Sequence, residues 1–229
     1  MFSGAFVIFG GTDGNTGRCK SSLEGTRVSR LIIIGASGHG KVIADIAVKN
    51  GYDEIVFLDD DESVEECAGF PVIGKTKDAK ALGGDIIVAI GNAAIRERIQ
   101  KEIETVTLIH PAAVIGRRVR LGKGTVVMAG AVINSDTVIG DGCIINTAAS
   151  VDHDCVVEDY SHVAVGAHLC GTVHIGRGTW IGAGATVSNN VDICAGCMIG
   201  AGAVVINSIV ERCTAVGCPG RPIKQNRKR

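Results

Sequence analysis

Stepping by six from Ile109, the chain meets Ile115, Leu121, Val127, Ile133, Ile139, Ile145, Val151, Val157, Val163, Leu169, Ile175, Ile181, Val187, Ile193, Ile199 and Val205. All seventeen positions are aliphatic, and nothing is inserted between them. The fourth residue after each is small in sixteen of seventeen cases (Ala113, Thr125, Ala131, Cys143 and so on), the last, Ile209, being large. A period of six is neither the 3.6 of an α-helix nor the 2 of a plain strand. It fits a short strand plus a turn, repeated. Three such units close one triangular coil of eighteen residues. Aliphatic side chains then stack inward, small ones fill the tight interior near the corners, and the glycine that often follows the aliphatic position (Ile139-Gly140, Ile181-Gly182) is expected to permit the turn. Seventeen hexads make just under six coils. The pattern predicts a hexapeptide parallel β-helix over 109–210.

Composition agrees. Of 229 residues, 32 are glycine, about twice the usual share. Phe, Trp and Tyr total eight, so a hydrophobic fraction of 46% is almost all small or aliphatic, suited to a narrow, regular interior. Glycine lacks the three-residue period of collagen. A charged fraction of 21% and a net charge of −1 argue against a disordered tail protein or a general nucleic-acid binder. No run of 18 apolar residues occurs, so no membrane span is expected. The apolar start Met1–Phe9 lacks a positive flank and a cleavage site, which argues against a signal peptide. Nine cysteines, an odd number, read as reduced thiols of a cytoplasmic protein. Cys143, Cys155 and Cys197 fall at the small inward position and read as packing. Cys194 and Cys197 lack the second pair that zinc would need.

From Arg30 to about residue 108 the pattern changes. Leu31–Ile34, Ile55–Leu58, Pro71–Ile73 and Ile86–Ile90 are strand candidates. They alternate with a helix from about His39 to Asn50 and another carrying Ile95, Ile99 and Ile103. This predicts a small parallel α/β domain of the Rossmann type. Strand one ends in Gly35-Ala-Ser-Gly-His-Gly40, a glycine-rich turn that offers N–H groups and a positive helix end to phosphate. Strand two ends in Asp59-Asp60-Asp61, where an acidic residue commonly accepts hydrogen bonds from a nucleotide. Together they point to nucleotide binding. Residues 1–29 fit neither pattern and read as an extension, disordered or non-native. Residues 211–229 form a C-terminal loop and basic tail (Arg221, Lys224, Arg227, Lys228, Arg229).

Six histidines occur. His153 stands at the third hexad position, where side chains can point outward, and Asp154 follows it. A histidine held by a carboxylate suits a general base; a surface histidine in a polar turn is the plainer reading. His162, His168 and His174 are six apart, and in an eighteen-residue coil a step of six moves to the next face. The three should point in three directions, so no metal site is expected. No two histidines are five apart, the spacing that a solenoid metal hydrolase of the γ-carbonic anhydrase type needs.

Taken together, Gly-Ala-Ser-Gly-His-Gly, Phe57-Leu-Asp-Asp60, Ala89-Ile-Gly-Asn92 and Asn146-Thr…Val151-Asp-His-Asp-Cys155 on an uninterrupted hexapeptide solenoid resemble one family over residues 30–223. It is the sugar O-/N-acetyltransferase family, which includes UDP-4-amino-sugar N-acetyltransferases (PglD-like) and sialic acid O-acetyltransferases (NeuD-like). The resemblance implies a homotrimer of left-handed β-helices, with acetyl-CoA as co-substrate in grooves between subunits and a nucleotide sugar on the front domain. It implies His153 as catalytic base and Asp154 as its acidic partner. Ser37, Gly38, His39 and Gly40 match the turn near the sugar-nucleotide phosphates, Asp59 and Asp60 the acidic pair near the nucleobase, and Asn146 a residue near the sugar. His162 and Gly171 match positions close to the thioester, and Ala183 and Ala201 complete the implied coenzyme A contacts. Ala201 replaces a family glycine. The basic tail either meets coenzyme A phosphates or stays solvated. The expected activity is N-acetylation of a nucleotide-linked amino sugar. A sialic acid, GDP-perosamine and a non-catalytic nucleotide-binding scaffold remain the rivals.

Overall fold

Three apolar runs form a parallel sheet: β1 (Arg30–Ile34), β2 (Glu54–Leu58) and β3 (Asp85–Val88), in the order β2-β1-β3. Leu31 to Ile34 are fully buried because both faces of the sheet are covered, as a continuous apolar run in a parallel sheet requires. Helix α1 (Gly38–Lys49) packs Ile43, Ile46 and Ala47 on one face. A 3-10 turn (Thr76–Ala81) and helix α2 (Ala93–Gln100) cover the other. Helix α2 ends before Ile103, which still packs on that face. The expected strand at Pro71–Ile73 is reduced to a hairpin of Glu66–Cys67 with Phe70–Pro71 and a single bridge from Val72 to Phe57. The computed structural model describes residues 7–8 and 29–223; most of the 1–29 extension and the tail from Lys224 lie outside them. Within that extension Val7–Ile8 pairs antiparallel with Arg120–Leu121.

From Leu108 the chain winds as a left-handed parallel β-helix with three faces. Strands stack at a separation of eighteen residues, as in Val127↔Ile145, Ile133↔Val151 and Ile139↔Val157. The aliphatic column and the small column are both buried, Cys143, Cys155 and Cys197 among them. Burial pushes the thiols of Cys143 and Cys155 up to about 12 and about 11, so they are inert packing groups. Eight described cysteines are free.

The turns work differently from the sequence expectation. The left-handed residue is the third after each aliphatic one, not the first. Every sixth residue from Arg118 to Gly202 has positive φ, and Asp136, Asp154 and Asn190 adopt it alongside glycines. Glycine directly after the aliphatic position serves coil spacing instead. A Cβ on Gly140 would lie 2.6 Å from Asp159 N and against its carboxylate. That carboxylate accepts Asp141 N–H, one coil back.

The last coil is short. Met198 pairs with Thr214, sixteen residues on, and Ile209 fills the inward position. The stacking continues through Thr214–Val216, and Arg221–Ile223 closes that sheet antiparallel.

Helix α1 joins the two parts. Its C-terminal Asn50 donates to Ile109 O at 3.1 Å. Its apolar side shares one core with Leu108, Val126, Met128 and Ile144 of the solenoid. Twelve helical residues span about 18 Å, and three coil spacings span about 14 Å. A helix anchored at Ile109 therefore ends beside the fourth row of that face, His162–Val163. Rows five and six, with Trp180 and Met198, stay outside, 37% and 51% exposed.

Gly140→Ala should cost about 1–3 kcal/mol, as other overpacked sites do, and lower the thermal midpoint by circular dichroism; an unchanged midpoint would mean that the coils have slack there.

Candidate active site

His153 lies at the corner after the strand Ser150–Val151. Asp154 holds the left-handed corner conformation, φ 58°, which an aspartate tolerates. That backbone brings its Oδ2 to 2.8 Å from His153 Nδ1. Asp152 caps the other side: its Oδ1 accepts His153 N–H at 2.8 Å and the Asn134 amide at 2.8 Å. Both carboxylates raise the imidazole above its ordinary value, the Asp154 hydrogen bond first and the Asp152 charge second. His153 Nε2 points away from Asp154 and lies 2.7 Å from where a Cβ on Gly171 would be. Gly171, one coil on, is bare because the imidazole occupies that space. The ring is half exposed, open to a reactant. Sequence reasoning missed Asp152 and Asn134 as supports of this histidine, since the eighteen-residue spacing that joins them was already legible but was not followed outward.

A second group sits at the seam with the front domain. Thr147 N–H donates to Asn146 Oδ1 at 2.7 Å, which fixes the amide orientation. Asn146 Nδ2 therefore donates to His162 Nε2 at 3.0 Å, and the proton of the neutral imidazole resides on Nδ1. That Nδ1 is buried with no partner among the described residues, as is His39 Nε2. Burial lowers His162 to about 3, with His39 and then Arg96 adding to it. Burial, then the Arg96 charge, lowers His39 to about 4. Trp180 tilts against the His162 ring, with centroids 4.2 Å apart. The seam thus holds a neutral, buried N–H donor with no acceptor among the described residues.

The glycine-rich turn has the geometry of an anion cradle. Gly35 takes φ 109°, and a Cβ on Gly40 would meet Gly35 O at 2.3 Å and Phe57 at 2.9 Å. The turn thus needs glycine at both ends, while Gly38 borders open space. Ser37 is the N-cap of α1 but makes no side-chain capping bond, and the first helical turn carries no acidic residue. Asp59 orders the turn: its Oδ2 accepts Ala36 N–H at 2.7 Å. Asp60 Oδ1 accepts Thr76 N–H at 3.0 Å. Both acidic residues also brace the loops around the cradle, a role the motif alone does not reveal.

The expected residues fall into two groups at different corners of the triangle. His153, Asp154 and Gly171 lie after the face bearing Ser150–Val151. Asn146, Ala183 and Ala201 lie after the face bearing Ile144–Ile145, and His162 on that face, near His39. Ala183 and Ala201 are exposed, and Gly202 N–H donates to Ala183 O, so the two occupy successive coils. His162, His168 and His174 occupy three different sheets. No cluster of three or more His, Cys, Asp or Glu side chains among the described residues is arranged to hold a metal ion. No helix among them is long and apolar enough to cross a membrane.

Comparison with known proteins follows the same division. Residues 30–103 match the PglD N-terminal domain model, and 172–207 match the bacterial transferase hexapeptide model. The acetyltransferase domain of PglB from Neisseria gonorrhoeae FA1090 is 42% identical, with a TM-score of 0.82 over 85% of this chain and 99% of that one. It has also been solved in complex with acetyl coenzyme A. PerB from Caulobacter crescentus, in complex with CoA and GDP-perosamine, is 34% identical, with a TM-score of 0.81 over 86% of this chain and 99% of that one. A curated UDP-N-acetylbacillosamine N-acetyltransferase from Bacillus subtilis (strain 168) is 36% identical over 114 residues, 44% of this chain. The chain spans 52% of that relative's length.

If Asp154 holds His153 as described, Asp154→Asn should bring the His153 titration down toward the ordinary imidazole range, followed by the NMR shift of its Cε1–H; an unmoved midpoint would leave Asp152 as the dominant carboxylate.

Proposed function

We propose that this chain, which belongs to the PglD-like family of hexapeptide-repeat sugar acetyltransferases, transfers the acetyl group of acetyl-CoA to the amino group of a nucleotide-linked amino sugar. The observation that carries the reading is the His153–Asp154 pair at 2.8 Å, with Nε2 free above a bare glycine. The names of the relatives support the substrate class: one acts on a UDP-linked amino sugar, and another is solved with GDP-perosamine and CoA. A UDP-4-amino-4,6-dideoxy sugar is the acceptor we favour.

In this mechanism His153 Nε2 removes a proton from the acceptor amine as its nitrogen attacks the thioester carbonyl. Asp154 and Asp152 stabilise the imidazolium that results. The main-chain N–H at Gly171 stabilises the developing oxyanion. The C–S bond then breaks, and coenzyme A leaves as thiolate and takes up the proton. The transfer is direct. The buried Nδ1–H of His162 supplies a donor for a ligand oxygen beside Asn146. The glycine-rich turn from Ser37 to Gly40 receives the diphosphate, and Asp59 and Asp60 face the nucleoside.

The base and the seam histidines lie at different corners of one chain, so a complete site needs two copies. A homotrimer that brings the His153 corner of one subunit to the His162 corner of the next supplies this arrangement. The expected cytoplasmic setting fits a reaction that draws on acetyl-CoA and an activated sugar.

Mass spectrometry of reactions with acetyl-CoA and UDP-4-amino-4,6-dideoxy sugars, GDP-perosamine, and free and CMP-linked sialic acids tests the proposal. An acetylated UDP-amino sugar is expected; acetyl on a sialic acid would move the chemistry from nitrogen to oxygen. His153→Ala should lower kcat by ~10²–10⁴-fold without loss of the trimer, and near-normal turnover would remove His153 from the mechanism. Because only the neutral base accepts a proton, kcat/KM should fall as pH falls through the raised value of His153. In Asp154→Asn that acid limb should move to lower pH, whereas an unmoved limb would mean that another group carries it.

A further inference from the structure

Among the described residues Arg96 is the largest fully buried side chain, 1% exposed, and no carboxylate there pairs with it. Its guanidinium is satisfied by main-chain carbonyls alone, from both parts of the chain. Nη1 donates to Ile90 O at 2.7 Å and Gly91 O at 3.0 Å, in the loop after β3. Nε donates to Gly142 O at 2.6 Å and Nη2 to Tyr160 O at 2.7 Å, on successive solenoid coils. Gly142 and Tyr160 are both left-handed corner residues, which stack at eighteen residues. The planar fork matches that spacing; an ammonium cannot span four acceptors in two directions.

An uncompensated buried cation is expensive, and packing alone would be better served by an apolar side chain. The register it sets therefore calls for a use. Burial lowers both His39 and His162 first; the Arg96 charge adds to it at both, and His39 adds to it at His162. His39 belongs to the front domain and His162 to the solenoid, so the two buried imidazoles lie close together at the seam that Arg96 clamps.

We propose that Arg96 is a positioning residue for the transfer reaction: its four carbonyl bonds fix the front domain on the solenoid so that the glycine-rich turn at His39 meets the sugar-side Asn146 and the acetyl-side His162 of the solenoid. This rests on the acetyltransferase reading. Burial keeps both imidazoles neutral and the charge of the clamp adds to it, which preserves the single tautomer that leaves His162 Nδ1–H as donor.

A second tie across the same seam serves as the control. Arg177 bonds Asp159 of the solenoid and Glu97 of α2 at 2.6 and 2.8 Å, but it is partly exposed and acts on neither histidine. Arg96→Lys should raise KM for the nucleotide sugar ~10-fold or more, with a smaller change in KM for acetyl-CoA. Arg177→Ala should stay within ~3-fold on both. Equal effects in the two variants, or none in Arg96→Lys, would overturn the proposal.

NMR of the ligand-free protein adds an arm that needs no turnover. In the wild type, the His39 and His162 Cε1–H signals should remain those of neutral imidazole down to about pH 5. In Arg96→Gln they should titrate at higher pH, whereas in Arg177→Ala they should not move. Wild-type signals that titrate as ordinary imidazoles would overturn the proposal even if neither Arg96 variant folds. Absence of acetylation by the wild type, with the NMR arm as expected, would remove the function reading and not the clamp.

Discussion

Main-chain hydrogen bonds between coils in an eighteen-residue register set most other distances in this molecule. Each coil rises by one strand spacing, and every outward side chain inherits its height from that step. The bonds need corners, and the corners need a left-handed residue every six positions. Asp154 is one of those corner residues. The conformation that turns the chain also carries a carboxylate back to His153, so the His153–Asp154 pair arises where the fold would bend in any case. Gly171 below it follows from the same stacking, because a side chain there would compete with the imidazole for one space.

Two of the ties between the front domain and this ruler reach main-chain carbonyls of the solenoid. Asn50 fixes the end of α1 at Ile109, and the length of the helix then decides which row its first turn reaches. Arg96 fixes α2 at Gly142 and Tyr160, through carbonyls that only successive corners can offer together. Unlike the Arg177–Glu97 pair, neither of these two is a contact between opposite charges. Both use main-chain acceptors, whose positions are known as soon as the coil is known.

Much of this was legible in the sequence because a six-residue period has few structural solutions. The uninterrupted column from Ile109 to Val205 implies the solenoid, and the step of six separates His162, His168 and His174 onto three faces. His153-Asp154 was legible as a pair because the two are adjacent. What could not be read is contact between elements distant in sequence. Nothing local marks Arg96 as buried, since an arginine in Ala-Ala-Ile-Arg-Glu-Arg looks like a solvated helix face. The Asn146–His162 bond needs the coil length before its partners can be matched. The role of glycine after each aliphatic residue was misread for a related reason: the constraint comes from the coil above, not from the turn itself.

The eighteen-residue ruler also governs how such a chain can change in length. A duplication of one whole coil below the seam would add a row and leave every corner facing as before. An insertion of six residues between His162 and a later site would rotate everything downstream by one face, carrying side chains to the wrong corner with no loss of core packing. The sixteen-residue coil from Met198 to Thr214 is such an irregular step, and it stands where the solenoid ends. Length variation should therefore come in multiples of eighteen within the solenoid, and other numbers should collect after its last regular row.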